Sequence, residues 1–258
     1  MPLLRKPISY PGEYHQIYYT LSACHWWFIS RCKLITFVIE KHIGSIRVAS
    51  PLSYIEVGCG TGLVLKAIQS SFPNWHCFGI EGQQEAVEIA LNAYPQLQIT
   101  CGDITNTESS FIYDCIGCFD VLEHITDDSK VLDQLSCMLV QHGLLIITVP
   151  QHQWLWSPAD DFAGHKRRYN RTDIENKLRK VGFEIVHVTS FVSLLFPLMF
   201  GSRLFSNHRK KYNPIDELKI SPFLNQLLLW IMSLERLLIS LNIKFGFGGS
   251  LLIVARKP

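Results

Sequence analysis

The chain has 258 residues, of which 48% are hydrophobic, and a formal net charge of only +2. That apolar fraction is ample for the core of one large α/β domain and excludes a disordered chain. The near-balanced charge excludes a whole-surface attraction to nucleic acid, so no nucleic-acid partner is expected.

The N-terminus, "MPLLRKPISYPGEYHQIYY", has prolines and charges where a signal peptide needs an unbroken apolar run, so a cytoplasmic location is expected. Residues 1–50 read as a helical, aromatic cap, with apolar positions recurring at helical spacing through Phe28, Cys32, Ile35 and Ile39. Trp26, Trp27 and Phe28 read as packing residues of an amphipathic helix; the functional alternative is a lid of Tyr18, Tyr19 and Trp27 closing on a cationic ligand. Adjacent helical positions do not share a face, so one of the two tryptophans is expected to be a lid or surface residue.

From Leu52 to about Thr189 short apolar strands alternate with helical stretches, the pattern of a mostly parallel sheet with helices on both faces. Strands are expected at Leu52–Val57, His76–Glu81, Gln98–Thr100, Tyr113–Phe119, Gly143–Val149 and Phe183–Thr189. Helices are expected at Leu63–Ser71, Gln83–Tyr94, Ser129–Val140 and Thr172–Val181, the last capped by Thr172. "GGSLLIVARK" supplies a seventh strand at Ser250–Ala255.

The eight cysteines are too sparse for a disulfide framework and sit mostly in apolar runs. Cys115 and Cys118 have CxxC spacing, but on a strand residues three apart face opposite sides, so no metal is expected there. Residues 191–247 interrupt the alternation as an apolar helical insertion. The core is thus 51–190, completed by 248–258. The longest uncharged run of the insertion, Ile220–Leu234, is followed by Glu235 and Arg236 and falls short of a bilayer span. With "RLFSNHRKK" beside it, the insertion reads as a packed subdomain, as a surface for peripheral membrane contact, or as a homodimer face.

"YIEVGCGTGLVL", Tyr54–Leu65, reads as a buried strand, a glycine turn and a helix start. At the carboxyl edge of an open parallel sheet, Gly58, Gly60 and Gly62 let the backbone approach a ligand closely. Without Gly-Lys-Ser/Thr it is no P-loop. A dinucleotide site is the rival, since Glu81 lies at the second-strand end where it suits ribose hydroxyls. Glu56, however, would repel a pyrophosphate and suits an ammonium or sulfonium. Leu63 replaces the third small residue of a dinucleotide turn, and Asp103 after the third strand could accept from an adenine amino group. A cationic, adenine-containing ligand fits these features best.

"EVGCGTG" resembles the first motif of class I S-adenosylmethionine-dependent methyltransferases. "FGIEGQQEAVEIA", "CGDI" and "FDVLEHITD" resemble the second, third and fourth, in order. The resemblance covers about 52–190. It implies a Rossmann-like seven-stranded fold with S-adenosylmethionine as cofactor and S-adenosylhomocysteine as product. Gly58, Gly60 and Gly62 would line the methionine part, Glu81 the ribose, Asp103 and Ile104 the adenine, and Glu56 and Asp120 the methionine end. Cys59 and Gly82 complete the implied cofactor set. "HWWFISR", "GHKRRYNRTDI" and "FGGSLLIVARK" are similar to a bacterial branch acting on small molecules of polysaccharide, lipid or quinone biosynthesis. Where that branch commonly carries an acidic residue before the tryptophans, this chain has Cys24.

Methyl transfer from a sulfonium is an in-line displacement that needs a held cofactor, an aligned nucleophile and exclusion of water, and no metal. If the nucleophile is protonated a base is needed, and His124 and His165 are the candidates. His124 reads equally as a residue holding a helix start, and "HKRRY" equally as a solvated turn. The functional alternative for Arg167, Arg168 and Tyr169 is an anionic group of a small-molecule acceptor. Trp27 is a further candidate at the acceptor, and oxygen is the favoured methylated atom. A nicotinamide-dependent oxidoreductase and a catalytically silent cofactor-binding module are the rival readings.

Overall fold

The computed structural model describes residues 12–44, 51–106, 111–206 and 218–258. Two helices come first among the described residues, α1 (Gly12–Ser22) and α2 (Trp26–Ile43). The core then runs β1 (Ser53–Val57), α3 (Leu63–Ser71), β2 (His76–Glu81), α4 (Gln84–Ala93), β3 (Gln98–Cys101) and β4 (Tyr113–Phe119). It continues through α5 (Asp128–Cys137), β5 (Leu139–Pro150), α6 (Pro158–Ala163), α7 (Arg171–Lys180) and β6 (Glu184–Phe191). Helices α8 (Phe196–Ser206) and α9 (Pro222–Ser240) precede β7 (Ser250–Arg256).

The seven strands form one sheet in the order β3-β2-β1-β4-β5-β7-β6. All pairings are parallel except those of β7, which runs antiparallel to both β5 and β6. The expected fold is therefore borne out. The chain leaves β1 toward β2 and β3, then returns to β4 on the other side of β1. This reversal opens a crevice at the carboxyl ends of β1 and β4, the place where such sheets hold ligands.

Period-two alternation divides the strand side chains between two cores. On one side Tyr54, Cys115, Leu144 and Ile146 pack with Ile35 and Ile39 of α2, Leu65 and Ile68 of α3, and Leu228 and Met232 of α9. On the other, Val57, Ile116, Cys118 and Ile147 pack with Leu132 and Leu135 of α5 and Ile174 and Leu178 of α7. Cys115 and Cys118 thus lie on opposite faces of the sheet, and their thiols diverge as the strand period requires. Both are buried, and burial raises both thiol pKa values far above the ordinary range.

Several boundaries differ from those expected, each for a tertiary reason. Helix α5 stops at Cys137 because Leu139 is drawn into pairing with Tyr113. Strand β6 extends to Phe191 because it pairs through to Ser250 of β7. Thr172 does not cap α7; its N-cap is Asn170. The preceding residue, Tyr169, is held extended by a bridge to Gln151 and by donation from the His152 N–H to its carbonyl.

The insertion forms longer helices than its uncharged run suggests. Helix α9 has 19 residues and is long and apolar enough to cross a membrane by length and composition, with Glu235 and Arg236 inside it. One stripe, Leu228, Met232, Glu235 and Ile239, is buried. Glu235 accepts from the Ser193 and Leu194 N–H groups at 2.7 and 2.8 Å, which ties the helix to the loop after β6. The opposite stripe is exposed, with Phe223 at 82% and Trp230 at 70%. At its start, Asn225 accepts from the Trp26 N–H at 2.8 Å and donates to the Cys24 carbonyl at 2.9 Å, joining the insertion to the N-terminal helices. Of "RLFSNHRKK", residues 207–211 lie outside the described residues.

Candidate active site

The β1–α3 turn is built on three glycines in the left-handed region, Gly58 at φ 68°, Gly60 at φ 53° and Gly62 at φ 77°. Each is there for its own reason. A Cβ on Gly58 would stand 2.4 Å from Val121 Cγ2, and one on Gly62 would press Leu97 and Ala90 at 3.0 and 3.3 Å. One on Gly60 would meet nothing within 4 Å. The Gly58 and Cys59 N–H groups donate to the Ile80 carbonyl at 2.8 and 3.2 Å, fixing the turn to β2.

Glu81 joins the turn to the next loop. One carboxylate oxygen accepts from the Gly60 N–H at 2.8 Å and the other from the Gln83 N–H at 3.0 Å. Each retains a lone pair for a ligand hydroxyl. A Cβ on Gly82 would meet only the Gly102 carbonyl, at 4.0 Å. Asp103 accepts from the Thr105 N–H and hydroxyl, both at 2.8 Å, and stands exposed beside buried Ile104. Cys59 borders the crevice as part of the turn. Its thiol packs on Gly79, burial raises its pKa well above the ordinary value, and its backbone is used within the turn.

Glu56 and Asp120 stand at the ends of β1 and β4. Asp120 has φ 56° and accepts from the Thr148 hydroxyl at 3.1 Å. It also pairs with Arg31 of α2 at 2.6 Å. Arg31 lies over the Trp27 and Phe119 rings, 5.2 and 5.9 Å from their centroids. In the sequence Arg31 is one guanidinium within a mostly apolar helix. Trp26 and Trp27 are both half-buried against the same core, and both border the crevice, so neither is a plain surface residue.

Burial pushes Glu56 up to about 8, although the Arg31 charge opposes this. A carboxyl whose folded value lies above its ordinary 4.5 keeps its proton in the fold while the unfolded chain releases it. Its contribution to stability is then present in full below pH 4.5 and lost as pH rises to about 8. Thermal melts across that window should show a decline with pH that the Glu56→Gln variant lacks. Parallel profiles for the two proteins would refute the assignment.

At the other end of the crevice, a short 3₁₀ turn after β4 carries Leu122–His124, and His165 follows α6. His165 Nδ1 donates to Asp160 at 2.9 Å, and the two imidazoles meet edge to face at 4.7 Å. Burial, then the neighbouring His165, lowers the His124 pKa to about 4. Asp160 is buried, which raises its pKa, yet His165 and Arg168 hold it down at about 2. Asp160 also closes a capping box with Ser157 at the start of α6. In the sequence it lies within "SPADD".

The basic segment is largely turned to other work. Arg168 donates to Asp160 at 2.8 Å and to the Gln151 carbonyl at 3.1 Å. Arg167 pairs with Asp128 at 3.0 Å and donates to the Thr126 carbonyl. The Tyr169 hydroxyl donates to Asp128 at 2.7 Å from a buried position. Arg167 and Tyr169 therefore brace α5 and do not line the crevice, which corrects their expected place at an acceptor anion. The buried Asp128 carboxylate recruits them.

The glycine turn, Glu81, Asp103 and Ile104, Glu56 and Asp120, and the His124–His165 pair all border one crevice of about 1630 Å³. Cavities for a single small ligand run to roughly 1000 Å³, so this one has room for two. For S-adenosylmethionine the donors fit. The open Gly60 backbone admits close approach, Glu81 has free lone pairs for hydroxyls, and the buried Glu56 carboxyl has an oxygen without a hydrogen bond.

Among solved structures the chain is similar to the [4+2]-cyclase SpnF, with a TM-score of 0.61 at 18% identity, covering 98% of this chain and 99% of that one. It is similar also to the plantazolicin methyltransferase BpumL in complex with S-adenosylhomocysteine. That match has a TM-score of 0.60 at 16% identity over 95% and 90% of the two chains. A curated relative, the ubiquinone biosynthesis O-methyltransferase of Bradyrhizobium diazoefficiens, is 20% identical over 119 residues, 45% of this chain and 46% of that protein. The chain thus spans less than half the length of this relative. The family described as "Methyltransferase domain" matches residues 32–188. That is more than half the chain and includes the glycine turn, the ends of β2, β3 and β4, and His165, so the chain belongs to the class I S-adenosylmethionine-dependent methyltransferase family.

Proposed function

We propose that the protein transfers a methyl group from S-adenosylmethionine to an oxygen of a small-molecule acceptor. The observation that carries this reading is the single crevice joining the glycine turn to the His124–His165 pair, with volume for cofactor and acceptor together. When bound, the cofactor supplies an electrophilic methyl carbon on a sulfonium.

The chain's own residues do the rest. Gly58, Gly60 and Gly62 shape the turn, Glu81 holds the ribose hydroxyls, and Asp103 and Ile104 flank the adenine. Asp120 offsets positive charge at the methionine end, while Glu56, which keeps its proton to about pH 8, offers a neutral hydrogen-bonding carboxyl there. Trp27 and Arg31 of α2 cover the crevice and exclude water, which strengthens these interactions. His124 and His165 stand where an acceptor hydroxyl would be activated. Leu198, Met199 and Ile220 of the insertion line the same crevice and suit an acceptor with an apolar portion.

Calorimetric titration with S-adenosylhomocysteine and, separately, with NAD tests the cofactor. Micromolar binding of the first and none of the second is expected, followed by label transfer from methyl-labelled S-adenosylmethionine to hydroxylated aromatic or lipid-like acceptors. Binding of NAD alone would replace this reading with a nicotinamide oxidoreductase.

A further inference from the structure

Glu123 is fully buried, yet neither of its carboxylate oxygens has a hydrogen-bond partner. A carboxyl in that condition is costly in either protonation state, because an ionised group lacks donors and a neutral one leaves its O–H unused. The His165 Nε2 atom lies 4.0 Å from its Oε1. Glu123, His124 and His165 each offer one ligand atom, and all three atoms lie within 4.8 Å of one another.

Both imidazoles are held from behind. His165 uses Nδ1 on Asp160, whose other oxygen accepts from the Ser157 N–H and hydroxyl at 2.9 and 3.1 Å. His124 donates to the Ala163 carbonyl. Each ring keeps a second nitrogen, which is the outer-shell pattern that orients metal-binding histidines. Three carboxylates, Asp120, Glu123 and Asp160, gather at this end, with Arg31 on Asp120 and Arg168 on Asp160.

We propose that Glu123, His124 and His165 bind a divalent transition-metal ion of the zinc type at the acceptor end of the crevice. Two imidazoles and one carboxylate match such an ion better than magnesium, which prefers oxygen ligands and retains water. Bonds of about 2.1 Å set tetrahedral ligand atoms roughly 3.4 Å apart, so the triad closes by about 1 Å of side-chain movement. Three protein ligands leave a position open. On the function proposed above, the acceptor hydroxyl would take that position and the ion would lower its pKa, so that its proton passes to solvent water and the oxygen bonds the methyl carbon as the carbon–sulfur bond breaks and S-adenosylhomocysteine leaves. Methyl transfer itself requires no metal, and the ion would act on the acceptor alone.

The test is calorimetric titration of the chelator-treated full chain with zinc, alongside Glu123→Gln and His165→Ala, with S-adenosylhomocysteine binding measured on each protein. Expected are one zinc per chain, micromolar or tighter, a loss of at least about 100-fold in each variant, and retained S-adenosylhomocysteine binding. Substitution by cobalt should give the visible absorption of a four- or five-coordinate ion, absent in the variants. Normal S-adenosylhomocysteine binding without stoichiometric zinc would overturn the metal site and leave the methyltransferase reading intact. Zinc binding without S-adenosylhomocysteine binding would do the reverse. Zinc binding untouched by either substitution, or the same loss seen for magnesium in place of zinc, would also overturn the assignment.

Discussion

Gly60→Ala is expected to weaken S-adenosylhomocysteine binding by roughly 30-fold, about 2 kcal/mol, while leaving the fold nearly as stable as before. The protein has space at this position, since a Cβ meets nothing within 4 Å. Its φ of 53° costs an alanine only about 1 kcal/mol, or a few degrees of melting temperature in a chain of this size. The added methyl therefore acts on the ligand that occupies the space and not on the protein. Gly58→Ala is the contrasting variant. Its Cβ would stand 2.4 Å from Val121 Cγ2, so the turn or the start of the 3₁₀ segment must move, and stability should fall by a further 1–3 kcal/mol or so. Calorimetry and thermal melts on the pair separate the two effects. If Gly60→Ala binds S-adenosylhomocysteine within twofold of the parent, the cofactor does not approach this turn.

The contrast between the two glycines explains what could be read from the chain in advance. The strand, turn and helix from Tyr54 to Leu65 are local, and their apolar run and glycine spacing depend on nothing distant. The same holds for Glu81 and Asp103, each placed at a strand end by the strand before it. Residues whose roles depend on distant partners were less legible. Arg31 reads as one polar position of an apolar helix until Asp120 is known to lie opposite. Arg167 and Tyr169 read as an exposed basic cluster until buried Asp128 draws them away from the crevice. Asp160 looks like half of an acidic pair in a loop, though the Ser157–Asp160 capping box was visible in the sequence. His124 and His165 are legible as candidates because each follows a strand that ends at the crevice. The partner that gives them a common purpose, Glu123, was hidden as the neighbour of a more conspicuous histidine.

Arg31→Met should destabilise the protein by about 3 kcal/mol, because it leaves a largely buried carboxylate without its partner. Arg31 and Asp120 side chains are only 12% and 24% exposed, and their contact of 2.6 Å is short. Asp120 holds a left-handed backbone at φ 56°, a conformation that a residue other than glycine keeps only when its surroundings impose it. The Thr148 hydroxyl and Arg31 are the groups that do so here. Methionine retains most of the apolar stem against Trp27 and Phe119, so the loss reports the ion pair more than the packing. For a chain of this size the shift corresponds to roughly 10 °C in melting temperature. Asp120→Asn removes the charge while keeping a side chain that tolerates the left-handed region, and it should be destabilising by itself. In the double variant Arg31→Met, Asp120→Asn, neither charge remains uncompensated, so its stability should exceed the sum of the single losses by 1 kcal/mol or more on a scale of roughly 0.5–3. Strict additivity would show that the pair does not hold α2 against the end of β4. Coupling would identify the link by which the N-terminal helix is held over the crevice from which water must be excluded.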